Sequence, residues 1–116
     1  MSNIQQQDIV WIRFPYSDMK ESKFRPAVIV SNNNYNKNNP DVVACAVTSR
    51  LDARDYSVLI DDSNIKDGKL PLKSRIRADK IIQIEKKLIA DSFARLNEKT
   101  FDALSEEIKK LVKRPR

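Results

Sequence analysis

Histidine is absent from these 116 residues. That removes the usual general base near neutral pH and the commonest metal ligand. Cysteine occurs once, as Cys45, so no internal disulfide can form. With so few nitrogen and sulfur ligands, no zinc site of the usual kind can be assembled. Glycine also occurs once, as Gly68, which excludes a glycine-rich loop that cradles phosphate. Turns fall to Asn, Asp and Ser instead. No apolar run approaches the roughly 20 residues of a membrane helix. The start, "MSNIQQQDIVW", lacks the basic-then-apolar order of a signal peptide. Cys45 stands in the apolar run "VVACAV" and reads as a buried, reduced thiol, which fits the cytoplasm.

What is present suits one globular domain spanning residues 1–116. The chain is 41% hydrophobic and 33% charged, with enough length for a real core. Its 22 basic and 16 acidic residues leave a net charge of +6. An excess of cations fits an acidic partner such as nucleic acid, and it also serves solubility. Part of the excess lies in the tail "KKLVKRPR".

Short apolar runs separated by turn residues predict strands over 8–14, 26–31, 41–49 and 56–60. Residues 16–24, 32–40 and 61–69 read as loops, and 72–84 as one or two strands. Residues 85–96 read as a turn or short helix followed by a short strand. Asn97 is placed to cap a final helix, with Glu98 in the first turn, where the helix dipole favours an acid. Phe101, Leu104, Ile108, Leu111 and Val112 recur at helical spacing on one face of that helix. These elements predict a mainly β (α+β) fold, a small β-barrel carrying a C-terminal helix.

Three polar clusters adjoin the apolar strands: "RPAVIVS", "AVTSR" and "RIRADK". Pro26 opens the second strand, because proline cannot donate to a ladder. Arg25, the residue before a proline, is held extended at that strand's mouth. It is either a solvated strand-end charge or a group aimed at a ligand. Thr48 is an ordinary β-branched strand residue or a hydroxyl at a site. Arg77 and Asp79, two apart in a strand, share a face and can pair.

In order and spacing, "DIVWIRFP", "KFRPAVIVSNN", "AVTSR" and "SRIRADKI" resemble the PemK/MazF family of toxins from toxin–antitoxin systems. The resemblance runs from Asp8 to about Val112. It implies an SH3-like barrel with a C-terminal helix, usually a homodimer. It implies metal-free, cofactor-free cleavage of single-stranded RNA, commonly messenger RNA. The expected products carry a 2′,3′-cyclic phosphate and a free 5′-hydroxyl, and a cognate antitoxin blocks the site. By resemblance Arg25 and Thr48 are catalytic, and Arg77 with Asp79 matches an acid–base pair. Ser49 shares the role of Thr48 or begins the turn.

That chemistry needs no histidine, because the substrate's own 2′-hydroxyl is the nucleophile. An arginine fork binds a phosphate bidentately and never loses its proton near neutral pH. Arg25 is therefore expected to stabilise charge on phosphorus rather than move protons. Tyr16, Lys20, Lys23 and Tyr35 lie in or beside the loops that flank the site, and could stack bases or contact phosphates. Two other classes share the fold or the charge. The CcdB group of toxins binds DNA gyrase without cutting, and a small barrel can bind nucleic acid without catalysis.

Overall fold

The chain is described here by a computed structural model covering residues 3–15 and 22–116. Strand β1 (Asp8–Pro15) lies between β2 (Ser22–Ile29) and β7 (Ile89–Leu96). β3 (Asp41–Thr48) follows β2, and β6 (Ser74–Glu85) then β4 (Ser57–Ile60) complete that side. A short strand β5 (Ile65–Gly68) lies beyond β7. The whole is one curled seven-stranded sheet, ordered β4-β6-β3-β2-β1-β7-β5, with every pairing antiparallel. Its two edge strands are consecutive in sequence, joined by a 3-10 turn at Asp62–Asn64. The small barrel with a terminal helix is the architecture expected from the sequence.

The central strands are buried on both faces, which is why they read as near-continuous apolar runs. Ile9, Val28 and Cys45 point into one core with Ile76, Leu96 and Leu104. Their neighbours Val10, Ala27 and Ala44 point into a second core with Ile12, Ile29 and Ile84. Helix α2 (Glu98–Val112) closes the first core through buried Leu104, with Phe101 and Ile108 beside it. Asn97 caps it as expected, its side chain accepting from the Thr100 N–H at 2.8 Å. The apolar face outruns the core, however. Leu111 and Val112, at the C-terminal end of the helix, remain exposed.

Three expectations need correcting. The asparagine-rich stretch is not all loop: it holds helix α1 (Asn33–Asn38). Asn32 caps its start, and Asn38 and Asn39 bond back to the carbonyls of Asn34 and Tyr35. Short polar side chains here satisfy the helix rather than compete with it. Residues 65–68 of the expected 61–69 loop form β5, whose partner strand β7 imposes the conformation. Strand β2 begins at Ser22, not at Pro26, so Arg25 and Pro26 lie within it. Of the one or two strands expected over 72–84, the structure has one, 74–85, with a large bulge. Cys45 faces Ile81 and Val47 faces Ile76, so Arg77, Ala78, Asp79 and Lys80 stand opposite Ala46 alone.

Candidate active site

Arg25 and Thr48 come from adjacent strands that diverge. The β2–β3 ladder runs Ile29↔Ala44, Val28↔Cys45 and Ala27↔Ala46, and then stops. The next residue of β2 is Pro26, which has no N–H to extend the ladder. Continuing the same register would set Arg25 opposite Thr48. Both instead line a cleft of about 620 Å³ that opens where the strands part. Ser49 and Arg77 line the same cleft. Four of the residues singled out in the sequence therefore converge.

The bulge in β6 supplies a further wall. Bulges re-aim side chains that a regular pleat would bury or alternate. This one turns Arg77 and Lys80 toward the cleft. Arg77 holds Asp79 by a fork: Nε donates to Oδ1 at 3.0 Å and Nη2 to Oδ2 at 2.9 Å. The Arg77 hydrogen bonds hold the Asp79 carboxyl below the usual carboxylate range. The same bonds raise Arg77 above its ordinary value. Asp79 joins the site through Arg77 and does not itself line the cleft.

Thr48 has one lone pair committed. Its Oγ1 accepts the Arg50 N–H at 3.2 Å, which leaves the hydroxyl proton for an acceptor in the cleft. Behind Thr48, its register partner Arg75 donates to Ser57 Oγ at 3.0 Å and to the Leu51 carbonyl at 3.3 Å. That side chain ties the loop following Thr48 to β4. Its Nε is buried without a partner among the described residues.

The cleft floor was not read from the sequence. Trp11 and Phe93 stack there with ring centroids 4.8 Å apart. Trp11 pairs with Pro26 across the β1–β2 ladder. Phe24 is 52% exposed and stands at the cleft beside Arg25. Lys80, inside the quoted "RIRADK", was also missed; only the bulge gives it its direction. Among the described residues, Arg25 and Lys80 form no ion pair, so both positive charges are uncommitted. An apolar aromatic floor under free cations and hydroxyls suits a phosphodiester with a stacked base.

Other expected contacts lie elsewhere. Tyr35 sits on α1, where its hydroxyl accepts from Gln83 Nε2 at 3.2 Å, and it does not line the cleft. Lys23 is exposed on β2 outside the cleft. Tyr16 and Lys20 fall outside the described residues. Cys45 is buried as expected, and burial, with Asp79 adding to it, pushes its thiol up to about 12. Among the described residues, no group of three or more His, Cys, Asp or Glu is placed to hold a metal ion. No described helix is long and apolar enough to cross a membrane.

Comparison with known proteins gives the family and the fold. The family model described as PemK-like, MazF-like toxin of type II toxin–antitoxin system matches residues 5–112. No curated protein sequence matches the chain. Among solved structures, a MazE–MazF crystal form from Deinococcus radiodurans superposes with a TM-score of 0.81 at 20% identity. It covers 97% of this chain and 97% of the other. An endoribonuclease in complex with its cognate antitoxin, from a mycobacterial species, gives 0.76 at 22% identity. That match covers 100% of this chain and 99% of the other. A structure described as an endoribonuclease from a mycobacterial species gives 0.78 at 21% identity, covering 100% of this chain and 97% of the other.

Proposed function

Because the chain belongs to the PemK-like, MazF-like toxin family of type II toxin–antitoxin systems, we propose that it is an endoribonuclease. It cuts single-stranded RNA at short sequences, and its cellular substrate is messenger RNA in the cytoplasm. The observation that carries this reading is the convergence of Arg25, Thr48, Ser49 and Arg77 on one cleft over an aromatic floor.

The reaction uses the substrate's 2′-hydroxyl. It loses its proton and attacks the adjacent phosphorus, and the bond to the 5′ oxygen breaks as that oxygen gains a proton. The products are a 2′,3′-cyclic phosphate and a 5′-hydroxyl. Arg25, free of an acid partner among the described residues, stabilises the charge that builds on the phosphorus oxygens. Thr48 donates a hydrogen bond from its hydroxyl to one of them. Arg77 adds charge, with its fork held in place by Asp79. The lowered Asp79 carboxyl is a weak proton acceptor, which supports a positioning role for it. No step calls on a metal.

A cognate antitoxin protein neutralises the toxin by covering the cleft. The mycobacterial relative described as bound to its cognate antitoxin supports that partner. The working form is a homodimer, and light scattering at micromolar concentration tests it. A mass of 13.4 kDa there would count against the dimer.

Incubation with a mixed-sequence single-stranded RNA in EDTA, followed by sequencing of the 5′ ends, tests the activity. We expect cuts at a short recurring sequence, lost in Arg25→Ala and in Thr48→Ala. Absence of cutting across varied RNAs overturns the reading. So does cutting that survives both substitutions.

A further inference from the structure

A second groove, of about 910 Å³, lies between residues 54–57 and the C-terminal end of α2. Its cations are Arg54, Lys110, Lys113, Arg114 and Arg116, against the acids Asp55 and Glu107. The surplus of three is half the chain's net charge of +6. Glu107 is already committed, since Lys110 Nζ sits 3.0 Å from its carboxylate. Among the described residues, Arg54, Lys113, Arg114 and Arg116 form no ion pair. Cations at a helix C-terminus favour the dipole, but that effect fades within the last turn. Arg114 and Arg116 lie beyond the helix end at Val112.

The groove adjoins the β6 bulge whose Arg77 and Lys80 line the cleft. The Ala78 N–H, inside the β6 bulge, donates to the Tyr56 carbonyl at 2.9 Å. Ser57 pairs with Arg77 in the β4–β6 ladder, and its hydroxyl donates to the Arg54 carbonyl at 2.7 Å. The Arg54 charge acts on Asp79. Segment 54–57 thus backs the Arg77–Asp79 pair on one side and lines the groove on the other.

We propose that the groove carries the phosphate backbone of the same RNA strand beyond the cleavage cleft. The inference rests on the ribonuclease reading above and adds a length requirement to it. The lining decides between polyanions. A docked protein helix needs apolar anchors. Here cations predominate, with Tyr56 as the one aromatic, which is the composition of a backbone track with a stacking face.

The test compares Lys113→Ala, Arg114→Ala and Arg116→Ala, combined in one variant, with the unaltered protein. All three side chains are exposed, and circular dichroism checks the fold. Binding is read by fluorescence anisotropy on 2′-O-methyl RNA, which cannot be cut, as a hexamer and as a strand of roughly 20 nucleotides. For the longer strand we expect about tenfold weaker binding at near-physiological salt. We also expect its log Kd against log salt slope to become shallower by about 2, at about 0.7 per phosphate contact. Hexamer binding stays unchanged.

Equal losses on both lengths, or no loss on either, overturn the groove. So does a poly-glutamate peptide of similar charge that binds the unaltered protein as tightly as the longer RNA. Length-dependent binding without cleavage of ordinary RNA would instead sink the ribonuclease reading and leave the groove standing.

Discussion

Arg77 grips Asp79 through two parallel hydrogen bonds of 3.0 and 2.9 Å, both residues lying in the bulge opposite Ala46. A carboxylate held this way is a better anchor than a base. Asp79→Asn keeps an acceptor for the fork and should slow cleavage by less than about tenfold, leaving the pH–rate profile between about pH 6 and 8 in place. A general base contributes about 10²–10⁴, so a loss of that size in Asp79→Asn would restore Asp79 to proton transfer. The folded-state value of Asp79 lies below its unfolded one. Its contribution to stability is therefore present above about pH 4 and is lost as pH falls through the depressed value. Urea titrations of the two proteins should converge in that acid range.

Thr48 can be tested one atom at a time. Thr48→Val removes the hydroxyl and keeps the shape. It should lower kcat by about 10²-fold, the scale of one lost transition-state donor, with little change in KM. Thr48→Ser should recover most of the rate. A Val variant as fast as the unaltered enzyme would leave Thr48 a plain strand residue.

Gly68 tolerates no side chain. Its φ is +80°, and an added Cβ would stand 2.3 Å from the Phe93 carbonyl oxygen. Backbone strain of this kind costs about 1–2 kcal/mol before the clash is counted. Gly68→Ala should lose at least about 2 kcal/mol in urea unfolding. Because Phe93 stacks on Trp11, near-ultraviolet circular dichroism should change as well. An unchanged midpoint would contradict the contact.

Cys45 should behave as an inert core residue. Its thiol is pushed up to about 12 by burial first and by Asp79 second. A disulfide reagent at neutral pH should label it only after unfolding. Stability carried by the neutral thiol is intact below the unfolded value of about 8.5 and declines as pH rises toward 12. The alkaline slope should be flatter in Cys45→Ala. Rapid labelling of the folded protein would refute the burial.

Strand cores were legible because burial on both faces leaves a run of apolar letters, as in Ala27–Ile29 and Val42–Cys45. The cap at Asn97 was legible because capping is local. Arg25, Thr48 and Arg77 stood out because charges and hydroxyls interrupt apolar strands. Three kinds of feature were hidden. Helix α1 depends on asparagine side chains bonding back to their own backbone, a pattern that propensity reads as turn. β5 is polar and owes its conformation to β7. The aromatic floor joins Trp11 to Phe93 across most of the chain, and Lys80 takes its direction from a bulge that only the register with β3 reveals.

The parting of β2 from β3 at Pro26 also bears on divergence. The residues that hold the fold lie in two cores; the cleft shares Ala27 and Val47 with them, but its polar rim, Arg25, Thr48, Ser49, Arg77 and Lys80, stands where β2 parts from β3 and in the β6 bulge. Substitution at the rim can then change which RNA is preferred without disturbing what keeps the sheet curled. A lineage built this way can drift in taste while its frame stays still. A frame superposing at 0.81 on a chain only 20% identical is the outcome such a division of labour allows.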